Sequence, residues 1–181
     1  MKIGIIILAG GKSSRMGEDK GLMLLHEKPM IKHVIEVAKQ ITANITIITS
    51  NNSYNQFGYP ISSDKHTNKG PLAGIYSGLI NSLNDYNLIL SCDIPYIKKD
   101  LLEHIIDQSE NSDISMPIHL GRIHPLIGVY RKSCISHFKK QIEDGQLKLT
   151  EAIKGLNVNI IETEKFEDIL FKNVNSKNDI A

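Results

Sequence analysis

The sequence predicts an α/β fold in three layers, with a mostly parallel sheet between two layers of helices. Short apolar runs alternate along the chain with segments of helical periodicity, which is typical of β-α-β units. The first run is almost uninterrupted isoleucine, as in strands buried on both faces of a parallel sheet. A glycine-rich turn follows that run directly, at the edge where such sheets bind ligands.

The predicted elements cover most of the chain. Strands are predicted at residues 2–8, 44–49, 87–90, 113–117, 126–130 and 157–161. Helices are predicted at residues 30–41, 73–83, 99–110, 133–144 and 149–155. The first helix is expected to be a buried packing helix, because Ile31, Val34, Ile35 and Ala38 recur at helical spacing after Pro29. The polar segment 51–69 is expected to be a long loop at the ligand edge.

The composition favours one globular domain that acts on small molecules. With 181 residues, of which 41% are hydrophobic, residues 1–181 are expected to form a single domain. A net charge of +1 gives no general attraction to nucleic acid or to a membrane. Cys92 and Cys134 form no CxxC pair and the histidines no HExxH motif, so neither a disulfide scaffold nor a zinc site is expected. Without a signal peptide or an apolar stretch of roughly 20 residues, a cytoplasmic location is expected.

Residues 8–20, the signature segment, join the glycine-rich turn to two cations. Gly10 and Gly11 let backbone N–H groups approach an anion closely, and Arg15 and Lys20 add positive charge. On the glycines alone, an ordinary strand-to-helix turn is an equally good interpretation. With both cations the segment predicts a phosphate cradle, and therefore a Rossmann-like nucleotide-binding half. A P-loop GTPase is excluded because the chain has no GxxxxGK[ST] element.

Asp93 is the candidate metal ligand. It follows the apolar strand 87–90, so its carboxylate is expected to emerge at the ligand edge, and Pro95 prevents a helix from starting there. Mg²⁺ prefers carboxylate and phosphate oxygens, so one protein carboxylate beside a triphosphate suffices. The alternative is that Asp93 only organises the turn that follows it.

The turn at Gly70 and Pro71 is expected to open a helix with Ile75, Leu79 and Leu83 on one face. Its glycine-lined start would leave N–H groups open to an anion or to a base edge. Without further information, an ordinary helix start is equally consistent with these residues.

The second half of the chain is expected to bind an acceptor. In the loop 119–125, Arg122 and His124 are candidates to face a phosphate, although a surface histidine in a hairpin is the simpler interpretation. Asn173 and Asn175 alternate with a valine and would project from one face. Paired amides suit a heterocycle rich in hydrogen-bond donors and acceptors; the alternative is a polar edge strand.

The signature segment resembles that of nucleotidyltransferases, and the chain is most similar to the molybdenum cofactor guanylyltransferase family. The matching residues are Leu8-Ala9-Gly10-Gly11, Ser13, Arg15-Met16-Gly17 and Asp19-Lys20. Further matches follow in the family's order at residues 70–74, 92–96, 124–125 and 173–175. The resemblance implies a nucleotide-diphospho-sugar transferase-like fold. It also implies transfer of GMP from GTP to the terminal phosphate of molybdopterin or the molybdenum cofactor, with Mg²⁺ as cofactor and release of pyrophosphate.

The resemblance further implies roles for individual residues. Arg15, Lys20 and Asp93 would be catalytic, with Asp93 binding the metal. The nucleotide would be bound by Leu8, Ala9, Gly10, Gly11, Lys20, Asp64, Gly74 and Asp93. The acceptor would be bound by Arg122, His124, Asn173 and Asn175. By composition alone Asp64 is a solvated loop residue, and either Asn51 or Asn52 matches the family's nucleotide-contacting asparagine.

The resemblance names GTP and the pterin as substrates, and other cofactor-biosynthesis proteins or molybdoenzyme chaperones as candidate partners. Two other functions remain open. One is a cytidylyl- or sugar-phosphate nucleotidyltransferase, disfavoured because Gly11 follows Gly10 where cytidylyl relatives more often carry Ala-Gly, and because the chain is short. The other is a sensor or carrier that binds GTP without turnover, disfavoured because binding alone does not require a metal ligand such as Asp93.

Overall fold

The computed structural model describes residues 2–10, 19–63, 70–175 and 179. The strands and helices run along the chain as β1 Ile3–Leu8, β2 Leu24–Leu25, β3 Lys28–Pro29, α1 Met30–Ala38, β4 Ile45–Ile48, β5 Ile61–Ser62, α2 Gly70–Asn81, β6 Tyr86–Ser91, α3 Lys99–Asp107, β7 Ile114–His119, β8 Arg122–Ile123, β9 Ile127–Arg131, α4 Cys134–Glu143, α5 Leu149–Ala152 and β10 Val158–Glu162. Short 3-10 turns lie at Lys20–Leu22, Asn52–Phe57 and Asp168–Phe171. Each strand and helix predicted from the sequence is present, with its ends shifted by a few residues.

Within the described residues, eight strands form one sheet whose main order is β10-β7-β9-β6-β1-β4-β5, with β8 paired to β7. β1 lies between β4 and β6 and is parallel to both, while β9 runs antiparallel between β6 and β7. The prediction of a mostly parallel sheet is confirmed. Because β1, β4 and β6 are parallel, their carboxyl ends at Leu8, Ile48 and Ser91 are in register at one edge.

The two faces of the sheet carry separate hydrophobic clusters. Ile5 and Ile7 of β1 pack in a cluster with residues of α1 and α3. Ile6 and Leu8 pack in the cluster that contains residues of α2, α4 and α5. Because successive strand side chains point to opposite faces, the apolar run in β1 is buried on both sides. The predicted three layers are therefore confirmed.

Two expectations about the middle of the chain are wrong. α2 ends at Asn81, so Leu83 lies beyond the helix and its side chain is 99% exposed, whereas Ile75 and Leu79 are buried. The segment after β4 is not simply a loop, because it forms the 3-10 turn Asn52–Phe57 and then pairs with β4 through β5. Its polar composition concealed one apolar anchor, Tyr54, which is completely buried. None of the described helices has the length and apolar character needed to cross a membrane.

Candidate active site

The signature segment leaves the sheet between the ends of its two neighbouring strands. The amide of Ala9 donates to the carbonyl of Ile48 at 2.9 Å, and the amide of Cys92 donates to the carbonyl of Leu8 at 3.1 Å. On the other side, Gly74 in α2 lies so close to Leu8 that an added Cβ would be 3.3 Å from Leu8 Cδ2. The described nucleotide-binding candidates Leu8, Ala9, Gly10 and Gly74 thus lie at one place on the carboxyl edge of the sheet.

Lys20 begins a capped 3-10 turn, and its side chain contacts a residue near the C-terminal end of the chain. Its 3-10 turn is capped by Asp19, whose carboxylate accepts a hydrogen bond from the amide of Gly21 at 3.1 Å. The ammonium of Lys20 donates to Oδ1 of Asn175 at 2.7 Å. A predicted nucleotide-binding residue and a predicted acceptor-binding residue are therefore in direct contact.

Asp93 follows β6 by two residues and accepts three hydrogen bonds from residues that the structure describes. Its Oδ1 accepts hydrogen bonds from the Ser91 hydroxyl at 2.6 Å and from Asn173 Nδ2 at 3.1 Å. Its backbone carbonyl accepts from the amide of Val174 at 2.8 Å. The carboxylate is fixed at the sheet edge and remains partly exposed.

Residues 173–175, the C-terminal motif, lie against this edge in the alternation that the sequence predicts. Val174 is completely buried in a small cluster with Met23 and Met30, and both asparagines are exposed. The motif is not a sheet strand, because the amide of Val174 bonds to the turn carbonyl of Asp93. The polar edge strand considered for these residues is therefore wrong.

Arg122 and His124 lie on the hairpin that joins β7 to β9. Arg122 is exposed on β8, and the ring of His124 is half-buried with its centroid 4.8 Å from that of Phe171. Burial, aided by the charges of Arg122 and His119, lowers the pKa of His124 to about 4. At neutral pH the His124 ring is therefore uncharged and can donate one N–H group, while the positive charge on this hairpin comes from Arg122. The described residues include no hydrogen bond or ion pair that joins these two side chains to Lys20 or Asp93.

His119 was not singled out by the sequence, yet it anchors the segment that carries the C-terminal motif. Its ring nitrogens face the carbonyl of Thr163 at 3.1 Å and the carboxylate of Asp168 at 2.9 Å. The ring stacks on Phe171 with 4.2 Å between centroids. Asp168 and Phe171 belong to the 3-10 turn just before the C-terminal motif. The hairpin between β7 and β9 and the C-terminal motif are therefore joined through His119.

Asn51, rather than Asn52, faces the signature segment. Its Nδ2 donates to Oδ2 of Asp19 at 3.0 Å, while Asn52 is exposed at the start of a 3-10 turn. Three predicted site residues, Gly11, Arg15 and Asp64, lie outside the described residues, so their roles stay predictions.

Asp93 fits the chemistry of a metal ligand. No group of three or more His, Cys, Asp or Glu side chains within the described parts of the chain has the arrangement to hold an ion. A metal on a bound triphosphate does not need one, because phosphates and water supply most of the oxygen ligands. Within the same residues, both side-chain hydrogen bonds to Asp93 go to Oδ1 and none goes to Oδ2, which leaves one carboxylate oxygen for a metal ion.

Gly10, Lys20 and the Asp93 carboxylate lie around the carboxyl edge of a mostly parallel sheet, which is the arrangement expected of a nucleotidyltransferase. The chain matches the family described as a MobA-like NTP transferase domain over residues 5–157, and it belongs to that family.

Its relatives are similar over nearly their whole length. A Flavobacterium johnsoniae protein named "probable molybdenum cofactor guanylyltransferase" is 39% identical over 175 residues, covering 96% of this chain and 92% of that protein. A Vibrio parahaemolyticus protein named "molybdenum cofactor guanylyltransferase" is 33% identical, covering 97% and 92%. The crystal structure of molybdopterin-guanine dinucleotide biosynthesis protein A from Archaeoglobus fulgidus has a TM-score of 0.82 at 23% identity, covering 98% and 94%. That likeness establishes the shared fold.

Proposed function

We propose that this chain transfers GMP from GTP to the terminal phosphate of molybdopterin or the molybdenum cofactor and releases pyrophosphate. The observation that carries the proposal is the convergence of Lys20 and Asp93 on the C-terminal motif. A cation for the triphosphate, a carboxylate for the metal and two amides for a pterin are thereby within one short stretch of surface. The names of the relatives favour guanylyl transfer over the cytidylyl alternative.

The nucleotide end is formed by the N-terminal half of the chain. Lys20, Arg15 and the backbone of residues 9–11 hold the triphosphate, and Asp64 and Gly74 flank the nucleoside. Fixed cations stabilise the charge that develops on the phosphates during transfer without reorganising at that moment. Asp93 would hold Mg²⁺, and the ion would supply further charge neutralisation to the phosphates.

The acceptor end is formed by the C-terminal half. Asn173 and Asn175 bind the pterin by hydrogen bonds, while Arg122 supplies positive charge and His124 an N–H group to the acceptor phosphate. A phosphate monoester is largely ionised near neutral pH, so its oxygen attacks the α-phosphorus of GTP without a general base. The new bond joins that oxygen to the α-phosphorus, the bond from the α-phosphorus to the bridging oxygen breaks, and pyrophosphate leaves.

The proposal is tested by incubating the purified protein and Mg²⁺ with GTP, CTP, ATP or UTP, each with and without molybdopterin or its molybdenum form. We expect pyrophosphate release that requires both GTP and the pterin. Pterin-dependent turnover with CTP would instead assign the chain to the cytidylyl branch. Tight GTP binding without product under any acceptor would indicate a sensor or carrier.

A further inference from the structure

Asp19, the neighbour of Lys20, has its carboxylate occupied by neutral donors. Oδ1 accepts hydrogen bonds from the Tyr54 hydroxyl and from the amide of Gly21, and Oδ2 accepts from Asn51 Nδ2. The ammonium of Lys20 reaches across to Asn175. An acidic and a basic side chain that are adjacent in sequence are thus held on different partners.

This separation matters for anion binding. A carboxylate one residue from Lys20 is a competitor for its ammonium, and an ion pair between them would have to break before the lysine could serve a triphosphate. A carboxylate has about four sites that accept hydrogen bonds, and in Asp19 three of them are already used by donors. The Asp19 carboxylate is therefore stabilised by neutral donors and not by an ion pair with Lys20.

Tyr54 is held in place by contacts at both its ring and its hydroxyl group. Its side chain is completely buried, and its ring packs at 5.9 Å from that of Phe57 in the same 3-10 turn. Gly21 lies against the hydroxyl, where any Cβ would overlap it. Burial, with the nearby Cys92 and Asp19, raises the pKa of Tyr54 far above its usual range, so the hydroxyl keeps its proton and donates.

We propose that Tyr54 is a positioning residue that holds the Asp19 carboxylate away from Lys20, so that the ammonium stays available to the triphosphate. The inference rests on the phosphate-binding role proposed for Lys20. Tyr54 itself acts through Asp19 and need not touch the nucleotide.

The test is the dissociation constant of GTP with Mg²⁺, measured by calorimetry for single and double variants. Lys20→Ala is expected to weaken binding by about tenfold or more and Tyr54→Phe by about fivefold. In the Lys20→Ala background Tyr54→Phe should add nothing, because its effect passes through the lysine. Tyr130→Phe is the matched control: it removes another buried tyrosine hydroxyl, bonded to the Pro125 carbonyl at 2.7 Å, and should leave GTP affinity unchanged.

A charge variant separates positioning from general loosening of the fold. Asp19→Asn removes the competing charge, so alone it should bind GTP at least as tightly as the wild type, and it should restore the affinity lost in Tyr54→Phe. Weaker binding by Asp19→Asn alone would overturn the proposal even if Tyr54→Phe did not fold.

The outcomes also distinguish the positioning role of Tyr54 from the phosphate-binding role of Lys20, on which it rests. Wild-type affinity in Tyr54→Phe, or an equal loss with and without Lys20, would overturn the positioning role while leaving Lys20 as a phosphate ligand. Unchanged GTP affinity in Lys20→Ala would instead overturn the role of Lys20 and, with it, this inference.

Discussion

The ammonium of Lys20 lies 2.7 Å from the side-chain oxygen of Asn175, although 155 positions separate the two residues in the chain. Two residues earlier in the C-terminal motif, Asn173 donates to the carboxylate of Asp93 at 3.1 Å. The motif therefore contacts two of the charged groups expected to serve the nucleotide, Lys20 and Asp93. Since the same amides are the candidates for binding the acceptor, the two substrates would meet at this motif.

The contact between Lys20 and Asn175 predicts how a charge at position 175 acts. Asn175→Asp should weaken GTP binding by about tenfold and by more than Asn175→Ala, because a carboxylate would pair with Lys20 and repel the phosphates. Calorimetric titration of GTP measures both variants, and the difference between them should shrink as salt is raised. Equal GTP affinities for the two variants at low salt would contradict the contact.

Removal of the Asp93 charge should abolish metal-dependent turnover while leaving the fold intact. In Asp93→Asn the Ser91 hydroxyl keeps an oxygen to bond to, but the ligand charge for the metal is gone, so we expect kcat to fall by about 100-fold or more. Steady-state pyrophosphate release and a thermal melt measure the two effects. The matched control is Asp107→Asn at the exposed end of α3, which should keep wild-type kcat. Normal turnover in Asp93→Asn would refute the metal assignment.

Val174 holds the C-terminal motif by burial. Val174→Ala should lower the free energy of unfolding by about 1 to 2 kcal/mol, because it removes two methyl groups from a fully buried site beside Met23 and Met30. Leu83→Ala removes more apolar volume from a side chain that is 99% exposed, and should change that free energy by less than about 0.5 kcal/mol. Urea unfolding measures both. Equal losses would mean that the valine is not the anchor of the motif.

The environment of His124 predicts a dependence of stability on pH. Its pKa is lowered from 6.5 to about 4 in the folded chain, so in this interval the unfolded state takes up a proton that the folded state does not. The free energy of unfolding should therefore fall as the pH drops from about 6.5 toward 4, and this contribution is fully present above about pH 6.5.

Urea unfolding at neutral pH and at about pH 5 tests this dependence. His124→Gln should lose less stability than the wild type between the two conditions. His26→Gln, at an exposed histidine, should behave as the wild type. The same pH dependence in His124→Gln and the wild type would rule out the lowered pKa.

Local patterns in the sequence predicted the framework well. The isoleucine run predicted a strand buried on both faces, and Ile5 and Ile6 indeed pack into opposite clusters. The alternation around Val174 predicted which side chain is buried. Both patterns involve only residues that are close together in the sequence, so they can be recognised without knowing the fold.

Contacts between distant segments were not predictable in the same way. His119 meets Thr163 and Asp168, which follow it by 44 and 49 positions, and no spacing rule connects such residues. Tyr54 was hidden in a polar stretch because it is buried in the cluster formed by residues of β1, α1 and α3, which are distant from it in the sequence. The resemblance to a family predicted which residues form the site. The contact between Lys20 and Asn175, which joins the nucleotide and acceptor parts of that site, could be seen only in the structure.

Labelled GTP provides the most direct test of guanylyl transfer. The protein would be incubated with Mg²⁺, molybdopterin and GTP labelled at either the α- or the γ-phosphorus, and the products separated. We predict that the α-label appears in the pterin dinucleotide and the γ-label in pyrophosphate alone. A γ-label found in the pterin or released as inorganic phosphate would contradict transfer of GMP and would indicate phosphoryl transfer or GTP hydrolysis instead.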